Sequence, residues 1–112
     1  MPNLTLRSYI QLVLVAAFLL LCVPALRAQS GSEQLYKSKC AMCHSADGSG
    51  SSPAGKAMNV PDLRSDAVQK MTDAQLTDAI TNGKGKMPAY KDKMTADDIK
   101  GQVAYTRALA KK

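Results

Sequence analysis

Two cysteines and a histidine stand close together in the chain, and they constrain its fold more than any other feature. Cys40 and Cys43 are three positions apart, and His44 follows at once as the only histidine among 112 residues. Three positions are close to one turn of a helix, so both thiols leave the backbone on the same side, with the imidazole beside them. The pattern therefore predicts one short site that combines two thiols with one imidazole.

The spacing C-x-x-C-H is the signature of c-type haem attachment. Each thiol adds to one vinyl group of the haem, and the histidine ligates the iron from the proximal side. A thioredoxin-like disulfide would follow a strand in a βαβ unit, which the sequence does not show, and a structural zinc site needs a fourth ligand. We therefore expect one haem c, attached covalently through Cys40 and Cys43. A redox disulfide or a partial metal site is the alternative.

The second axial ligand of the iron has to be something other than histidine. Methionine is the usual remaining ligand, and its thioether raises the reduction potential relative to nitrogen ligation. Gly83 and Gly85 stand shortly before Met87 and allow the backbone to approach a flat cofactor. Pro88 follows Met87 directly and stiffens the chain. We expect the metal ligands to be His44 and Met87, with Met94 and Met58 as the alternatives to Met87.

The start of the chain has the three-part layout of a secretory signal. Arg7 provides the positive charge, residues 12–21 form an apolar run, and small residues follow at Ala25 and Ala28. The run is shorter than the roughly 20 residues that span a bilayer. We expect cleavage after Ala28, which makes residues 1–28 a signal peptide and the protein periplasmic. A cut after Ala25 and a retained membrane anchor are the alternatives.

The remaining residues, 29–112, form a single small domain with few large apolar side chains. The chain has no Trp, and its only Phe, Phe18, lies in the predicted signal. A domain this short usually needs a disulfide, a metal or a cofactor, and a haem provides a large apolar body. Its 13 Lys and Arg exceed its 9 Asp and Glu by only four. That charge, with few aromatic side chains, argues against nucleic-acid binding.

The spacing of apolar residues and caps predicts an all-α fold of about four helices around one haem. Helices are expected within residues 32–44, within 61–71, from Thr72 to Asn82 and from Thr95 onwards. Residues 45–61 and 83–93 are predicted to be loops. Loops this long in a small domain are usually functional, and we expect these two to wrap the cofactor.

Together these features resemble a short bacterial class I cytochrome c with a single haem. The resemblance covers about residues 31 to 110. Besides the C-x-x-C-H motif, it rests on Gly31 and Tyr36, Asp47-Gly48-Ser49-Gly50, Pro61-Asp62-Leu63, Asn82-Gly83, Met87-Pro88-Ala89-Tyr90 and Val103-Ala104-Tyr105.

The resemblance implies particular contacts inside the fold. The first and last helices should cross, and the residues expected to face each other there are Gly31, Leu35 and Tyr36 on one side and Ala104, Tyr105 and Leu109 on the other. A backbone carbonyl, with Pro53 as the candidate, should accept a hydrogen bond from the proximal His44. By position, Arg64 and Lys56 are candidate partners of the haem propionates, with two solvated side chains as the alternative.

The resemblance also implies a diffusible one-electron carrier and no enzymatic activity. A haem with both axial positions filled has no place for a substrate, and the only histidine is committed to the iron, so we expect no catalytic residue. We expect a monomer that binds redox partner proteins with anionic docking surfaces, binds no nucleic acid, and meets membranes only through partner complexes. A five-coordinate haem enzyme or gas sensor, and a membrane-tethered electron-transfer module, are the alternatives.

Lysines flank the presumed ligand loop on both sides. Lys84 and Lys86 precede Met87, and Lys91 and Lys93 follow it. A positive ring at the exposed haem edge would steer anionic partners and allow short-lived docking. Ordinary solvated loop lysines are the alternative.

Overall fold

The computed structural model describes residues 3–112, except for the side chains of residues 22–26. It contains these helices: α1 (Asn3–Lys39), α2 (Ala41–His44), α3 (Pro53–Met58), α4 (Asp66–Gln69), α5 (Asp73–Asn82) and α6 (Ala96–Leu109). In the part of the chain that is described, the β-type pairing is limited to one isolated bridge between Lys84 and Met87. The predicted all-α fold is confirmed.

The first helix starts far earlier than the sequence pattern predicts. It runs without interruption for 37 residues, from Asn3 to Lys39. Its segment Asn3–Leu21 is long and apolar enough to cross a membrane, a property that it shares with secretory signals. Its apolar side chains are exposed to solvent. The alternative cleavage site, Ala25, lies among residues 22–26, outside the described side chains.

The two long helices of the domain begin at the predicted caps. The hydroxyl of Thr72 accepts a hydrogen bond from the backbone N–H of Gln75, whose side chain in return accepts one from the backbone N–H of Thr72. Thr95 and Asp98 form the same pair at α6, and the hydrogen bonds from Thr95 lower the pKa of the Asp98 carboxyl. These capping boxes satisfy N–H groups that have no partner within the helix. Both helices therefore start where short-range sequence signals place them.

A further short helix interrupts the segment that was predicted to be a loop. Helix α3 begins after Ser52, whose hydroxyl accepts a hydrogen bond from the N–H of Gly55, and Pro53 occupies its first position. Its last residue, Met58, is followed by the C-cap Asn59, which adopts a left-handed conformation with φ 52°. The prediction of a loop throughout residues 45–61 is wrong, although Ser followed by Pro is a regular start signal for a helix.

The crossing of α1 and α6 forms one of the two hydrophobic clusters found among the described residues. Tyr36, which is 2% exposed, packs against Tyr105 with 4.8 Å between ring centroids, and Leu109 completes the cluster. The packing of these three residues against one another confirms the predicted crossing. Gly31 and Ala104, in contrast, are exposed, so their predicted place in the crossing is wrong.

The close approach of the two helices occurs at Gly101 instead. A Cβ atom at this position would lie 2.5 Å from the Ser32 hydroxyl, whereas a Cβ at Gly31 would meet nothing within 4 Å. Glycine at position 101 therefore lets α6 approach α1 closely, and a larger residue there would require the Ser32 hydroxyl to turn away.

The second cluster lies where α4 and α5 pack against α6. Val68, Leu76 and Val103 bring α4, α5 and α6 together. The guanidinium of Arg107 donates hydrogen bonds to the carbonyl of Gln69 at 2.7 Å and to the carbonyl of Met71 at 2.6 Å. Helix α6 thus contributes to both clusters and connects them.

Gly55 provides a test of how tightly α3 packs against the segment before it. A Cβ atom at Gly55 would lie 2.3 Å from the carbonyl oxygen of Cys43 and 2.4 Å from that of Gly50. Backbone atoms cannot move aside as a side chain does, so we expect Gly55→Ala to destabilise the haem-loaded protein by about 1–3 kcal/mol or more. Thermal denaturation followed by circular dichroism measures this. Gly31→Ala is the matched control and should change the melting temperature little; equal effects of the two substitutions would contradict the prediction.

Candidate haem site

A cavity of about 450 Å³ lies in the domain core. Its wall is largely apolar and includes Tyr36 of the first hydrophobic cluster as well as Val68 and Leu76 of the second. Cavities of about 300–1,000 Å³ with apolar walls and a few polar groups are typical of cofactor sites. The two clusters therefore enclose space for a large apolar body.

Both cysteines of the C-x-x-C-H motif line this cavity. Cys40 and Cys43 are free thiols and half-buried. The N–H of His44 donates a hydrogen bond to the carbonyl of Cys40 at 2.9 Å, which closes the helical turn between them. Burial, together with the neighbouring Cys43, raises the pKa of the Cys40 thiol to about 11. The Cys40 thiol is therefore protonated at neutral pH, and both thiols stand in the wall of one cavity.

His44 lines the same cavity and is favoured in its neutral form. Burial lowers the pKa of its imidazole, and a neutral imidazole is the form that ligates a metal. Its Nδ1 atom is buried without a hydrogen-bond partner among the described residues. The expected hydrogen bond to the carbonyl of Pro53 is therefore not formed, because Pro53 lies instead at the start of α3.

Hydrogen bonds from both sides hold the C-x-x-C-H turn in place. The Tyr36 hydroxyl donates to the carbonyl of Ser45 at 2.7 Å, directly after His44. The Ser52 hydroxyl lies within 2.8 Å of the carbonyl of Met42 and 3.1 Å of the carbonyl of Cys43. These carbonyls end a short helix and would otherwise lack partners. The turn is therefore fixed to α1 on one side and to the start of α3 on the other.

Met87 reaches the cavity from a tight turn of the loop between α5 and α6. The N–H of Met87 donates to the carbonyl of Lys84 at 3.0 Å, and the N–H of Lys84 donates to the carbonyl of Met87 at 3.2 Å. The N–H of Tyr90 donates to the carbonyl of Ile80, and the Tyr90 hydroxyl donates to the carbonyl of Lys39 at 3.1 Å. The turn is thus tied to α5 and to the end of α1, next to the cysteines.

Three methionines line the cavity. Met58 at the end of α3 and Met71 before α5 do so together with Met87. Met94 is 7% exposed and does not line it. Its place, one residue before the cap of α6, is that of a buried apolar residue that fixes the entry of the chain into a helix.

Comparisons with known proteins agree on the kind of domain. The model of a protein family described as cytochrome c oxidase, cbb3-type, subunit III matches residues 27–105. Cytochrome c6 of Rippkaea orientalis is 34% identical over 104 residues, which cover 92% of this chain and 91% of that protein. A cytochrome c6-like protein of Nostoc sp. is 29% identical over 110 residues, 95% of this chain and 96% of that protein. The solved structure of the KustC0563 c-type cytochrome superposes with a TM-score of 0.65 at 25% identity, covering 70% of this chain and 95% of that one.

The chain belongs to the cytochrome c family. It carries a covalently bound haem c and is an electron carrier. The residues present fit this group, because the cavity offers an apolar wall, two free thiols and a neutral imidazole. When bound, the haem supplies the one-electron chemistry; the chain supplies its position and surroundings.

Two polar residues of the cytochrome's cavity wall have no counterpart in the sequence-based prediction. Gln102 and Thr106 lie one turn apart on α6, are 2% and 7% exposed, and line the cavity. In the sequence they read as polar positions of a surface helix. The signal that would have identified them is their spacing of three from the buried Ile99 and Val103, which places them on the inner side of the helix.

The predicted propionate partners lie elsewhere. The Arg64 guanidinium pairs with Asp62 at 3.0 Å and with Asp47 at 3.6 Å. The hydrogen bonds with Asp62 raise the pKa of Arg64 and lower that of Asp62, whereas the pKa of Asp47 is lowered mainly by hydrogen bonds from Ser49. Neither Arg64 nor Lys56 lines the cavity, and their contact with the propionates stays a prediction. The exposed polar side chains that line it include Asn59, Lys84 and Lys86.

Proposed function

We propose that this cytochrome is an exported one-electron carrier whose haem is attached to Cys40 and Cys43 and ligated by His44 and Met87. The observation that carries the proposal is that all four side chains line a single apolar cavity. They come from two segments more than 40 positions apart in the sequence, so their convergence depends on the whole fold.

The geometry of the chain supports Met87 over the other methionines as the axial ligand. Met58 and Met71 lie where α3 and α4 end, and their flexible side chains also serve as ordinary core packing. Met87 instead occupies a short turn that is fixed on both sides by backbone hydrogen bonds. A fixed turn holds the thioether at a constant distance, which is what a ligand that must persist in both oxidation states requires.

With both axial positions held by its own side chains, the protein acts as a carrier and not as an enzyme. A thioether ligand favours ferrous iron and raises the reduction potential. When the geometry around the iron changes little between the oxidised and reduced states, little free energy is needed to rearrange the site during electron transfer. Once His44 ligates the iron, its imidazole is no longer free to act as a general base in the cavity.

We further propose that the opening of the cavity is the docking surface for redox partners. Lys39, Lys84 and Lys86 line the cavity and are exposed, and Lys91 is exposed nearby in sequence. Met42, between the two cysteines, is 77% exposed and adds an apolar contact at the same turn. A positive rim around an apolar centre suits partners with an anionic docking surface, since long-range attraction raises the rate of encounter.

The N-terminal segment supports export as the route to this function. Residues 3–21 are apolar and exposed, and they make no part of the domain core. The family model begins to match only at residue 27, close to the proposed cleavage after Ala28. Cleavage there leaves residues 29–112 as the cytochrome domain, in a compartment outside the cytoplasm.

Replacement of Met87 tests the ligand assignment and with it the carrier function. In Met87→Ala we expect loss of the weak far-red absorption band of the sulfur–iron bond and a fall in reduction potential on the order of 0.1 V, because the thioether no longer favours ferrous iron. The variant should also bind carbon monoxide. Spectroelectrochemistry of the purified holoprotein measures all three.

Three leucine substitutions serve as controls for this experiment. Met58→Leu, Met71→Leu and Met94→Leu should keep the band, because these side chains only pack. If Met58→Leu or Met71→Leu removes the band while Met87→Ala keeps it, the assigned ligand is wrong and the carrier function stands. A wild-type protein that lacks the band and binds carbon monoxide rapidly would contradict the carrier function itself.

Charge reversal at the rim tests the docking surface. We expect Lys84→Glu with Lys86→Glu to slow oxidation of the reduced protein by ferricyanide roughly tenfold at low ionic strength, because the anion is no longer attracted. Oxidation by the cationic tris(phenanthroline)cobalt(III) should become faster. Stopped-flow absorbance measures both rates. The control, Lys56→Glu with Lys100→Glu, changes the net charge equally away from the cavity; if it has the same effect, the rim has no special role.

The mass of the exported protein tests the cleavage site. We expect mature protein that begins at Gln29 and carries one haem, as read by intact mass spectrometry of the periplasmic fraction. Ala28→Glu should block this cut, because the site requires a small residue. A product that starts at Leu26, or a membrane-bound product that retains residues 1–28, would show that the site is assigned wrongly.

A further inference from the structure

Gln102 is a buried polar side chain in the largely apolar wall of the haem cavity. It lies in the middle of α6, is 2% exposed, and lines the same cavity as His44 and Met87. Buried amides are normally paired at both ends, so the partners of this one decide what it does.

Only one end of the amide is paired. Its Nε2 atom donates a hydrogen bond to the backbone carbonyl of Ser32 at 2.9 Å, across the crossing of α1 and α6. Its Oε1 atom is buried and has no hydrogen-bond partner among the described residues. Rotation of the amide by 180° would place Oε1 against the Ser32 carbonyl, where two acceptors would face each other. Helix α1 therefore fixes which way the amide dipole points.

The neighbouring polar residue does not share this property. Thr106 lies one turn further along α6 and also lines the cavity, but its hydroxyl donates to the backbone carbonyl of Gln102 at 2.9 Å. The Thr106 hydroxyl is thus oriented by a hydrogen bond to a carbonyl of its own helix. Gln102 is the residue of this pair that presents a free carbonyl oxygen inside the core.

We propose that Gln102 is a residue that lowers the reduction potential of the haem. The inference rests on the proposed function, in which the haem occupies this cavity. Reduction removes one unit of positive charge from the iron centre, so a buried oxygen with partial negative charge stabilises the oxidised state more than the reduced state. In a core of low dielectric constant such a dipole acts over several ångströms. The amide thereby opposes the effect of the thioether ligand and brings the potential to an intermediate value.

Replacement of Gln102 by apolar residues of similar size tests this role. We expect Gln102→Leu and Gln102→Met each to raise the equilibrium constant for reduction by a mediator dye of known potential roughly twofold or more, because the unfavourable dipole is removed. The measurement is a spectroscopic redox titration of the purified holoprotein. Gln102→Met retains the length and flexibility of the side chain and carries the test if Gln102→Leu yields no holoprotein.

Two further variants separate the dipole from the packing of the helices. Gly101→Ala changes the packing at the crossing, where the Ser32 hydroxyl has to turn away, but it leaves the Ser32 carbonyl in place, so it should leave the potential near that of the wild type. Thr106→Val should also leave the potential near the wild-type value. If Gly101→Ala shifts the potential as much as Gln102→Leu does, the crossing and not the amide is responsible, and the proposal is overturned.

The far-red band distinguishes failure of this inference from failure of the proposed function. If both Gln102 variants keep the band and the wild-type potential, the inference is wrong while the carrier function stands. If the wild-type protein itself lacks the band, the proposed ligand set has failed independently of Gln102. A lowered potential in the two Gln102 variants, with the band intact, would also overturn the inference, since the sign would then be opposite.

Discussion

The position of the haem site depends on the packing of Tyr36 at the crossing of α1 and α6. Its ring lies against Tyr105 and Leu109, and its hydroxyl donates to the carbonyl of Ser45, immediately after His44. Burial of such a side chain contributes about 1.5–3 kcal/mol, and the hydrogen bond adds about 1 kcal/mol. A single residue thus connects the crossing of the terminal helices to the turn that carries the thiols and the imidazole.

The haem completes a core that the side chains alone leave divided. One cluster surrounds Tyr36 and the other surrounds Leu76, and the cavity has walls from both. A chain without Trp, and with its single Phe in the N-terminal segment, has few other means to fill that space. The cofactor is therefore part of the fold as well as the redox centre. The same apolar wall keeps the imidazole neutral, as a metal ligand must be, and makes the unpaired oxygen of Gln102 effective over a longer range.

Short-range signals in the sequence predicted correctly those helix starts and ends that depend only on residues close together in the chain. The capping boxes at Thr72 and Thr95 and the end of α5 at Asn82 follow from hydrogen bonds within four positions of the chain. Helix α3 shows the limit of such signals, because the start signal at Ser52 and Pro53 lies in a segment whose many serines and glycines favour a loop. The exposed Gly31 shows another limit: several small residues suit a helix crossing, and the one that is used, Gly101, is set by the angle at which the helices meet.

The sequence alone determined the chemistry of this protein, since C-x-x-C-H places two thiols and an imidazole on one helical turn whatever the rest of the chain does. It also narrowed the second ligand to a few methionines. Only the tertiary structure placed Met87, Met58 and Met71 on the cavity and Met94 outside it. It alone placed Arg64 outside the cavity wall and turned Gln102 inward. These outcomes depend on how distant helices meet, and the packing of many side chains sets that geometry, so no local pattern records it.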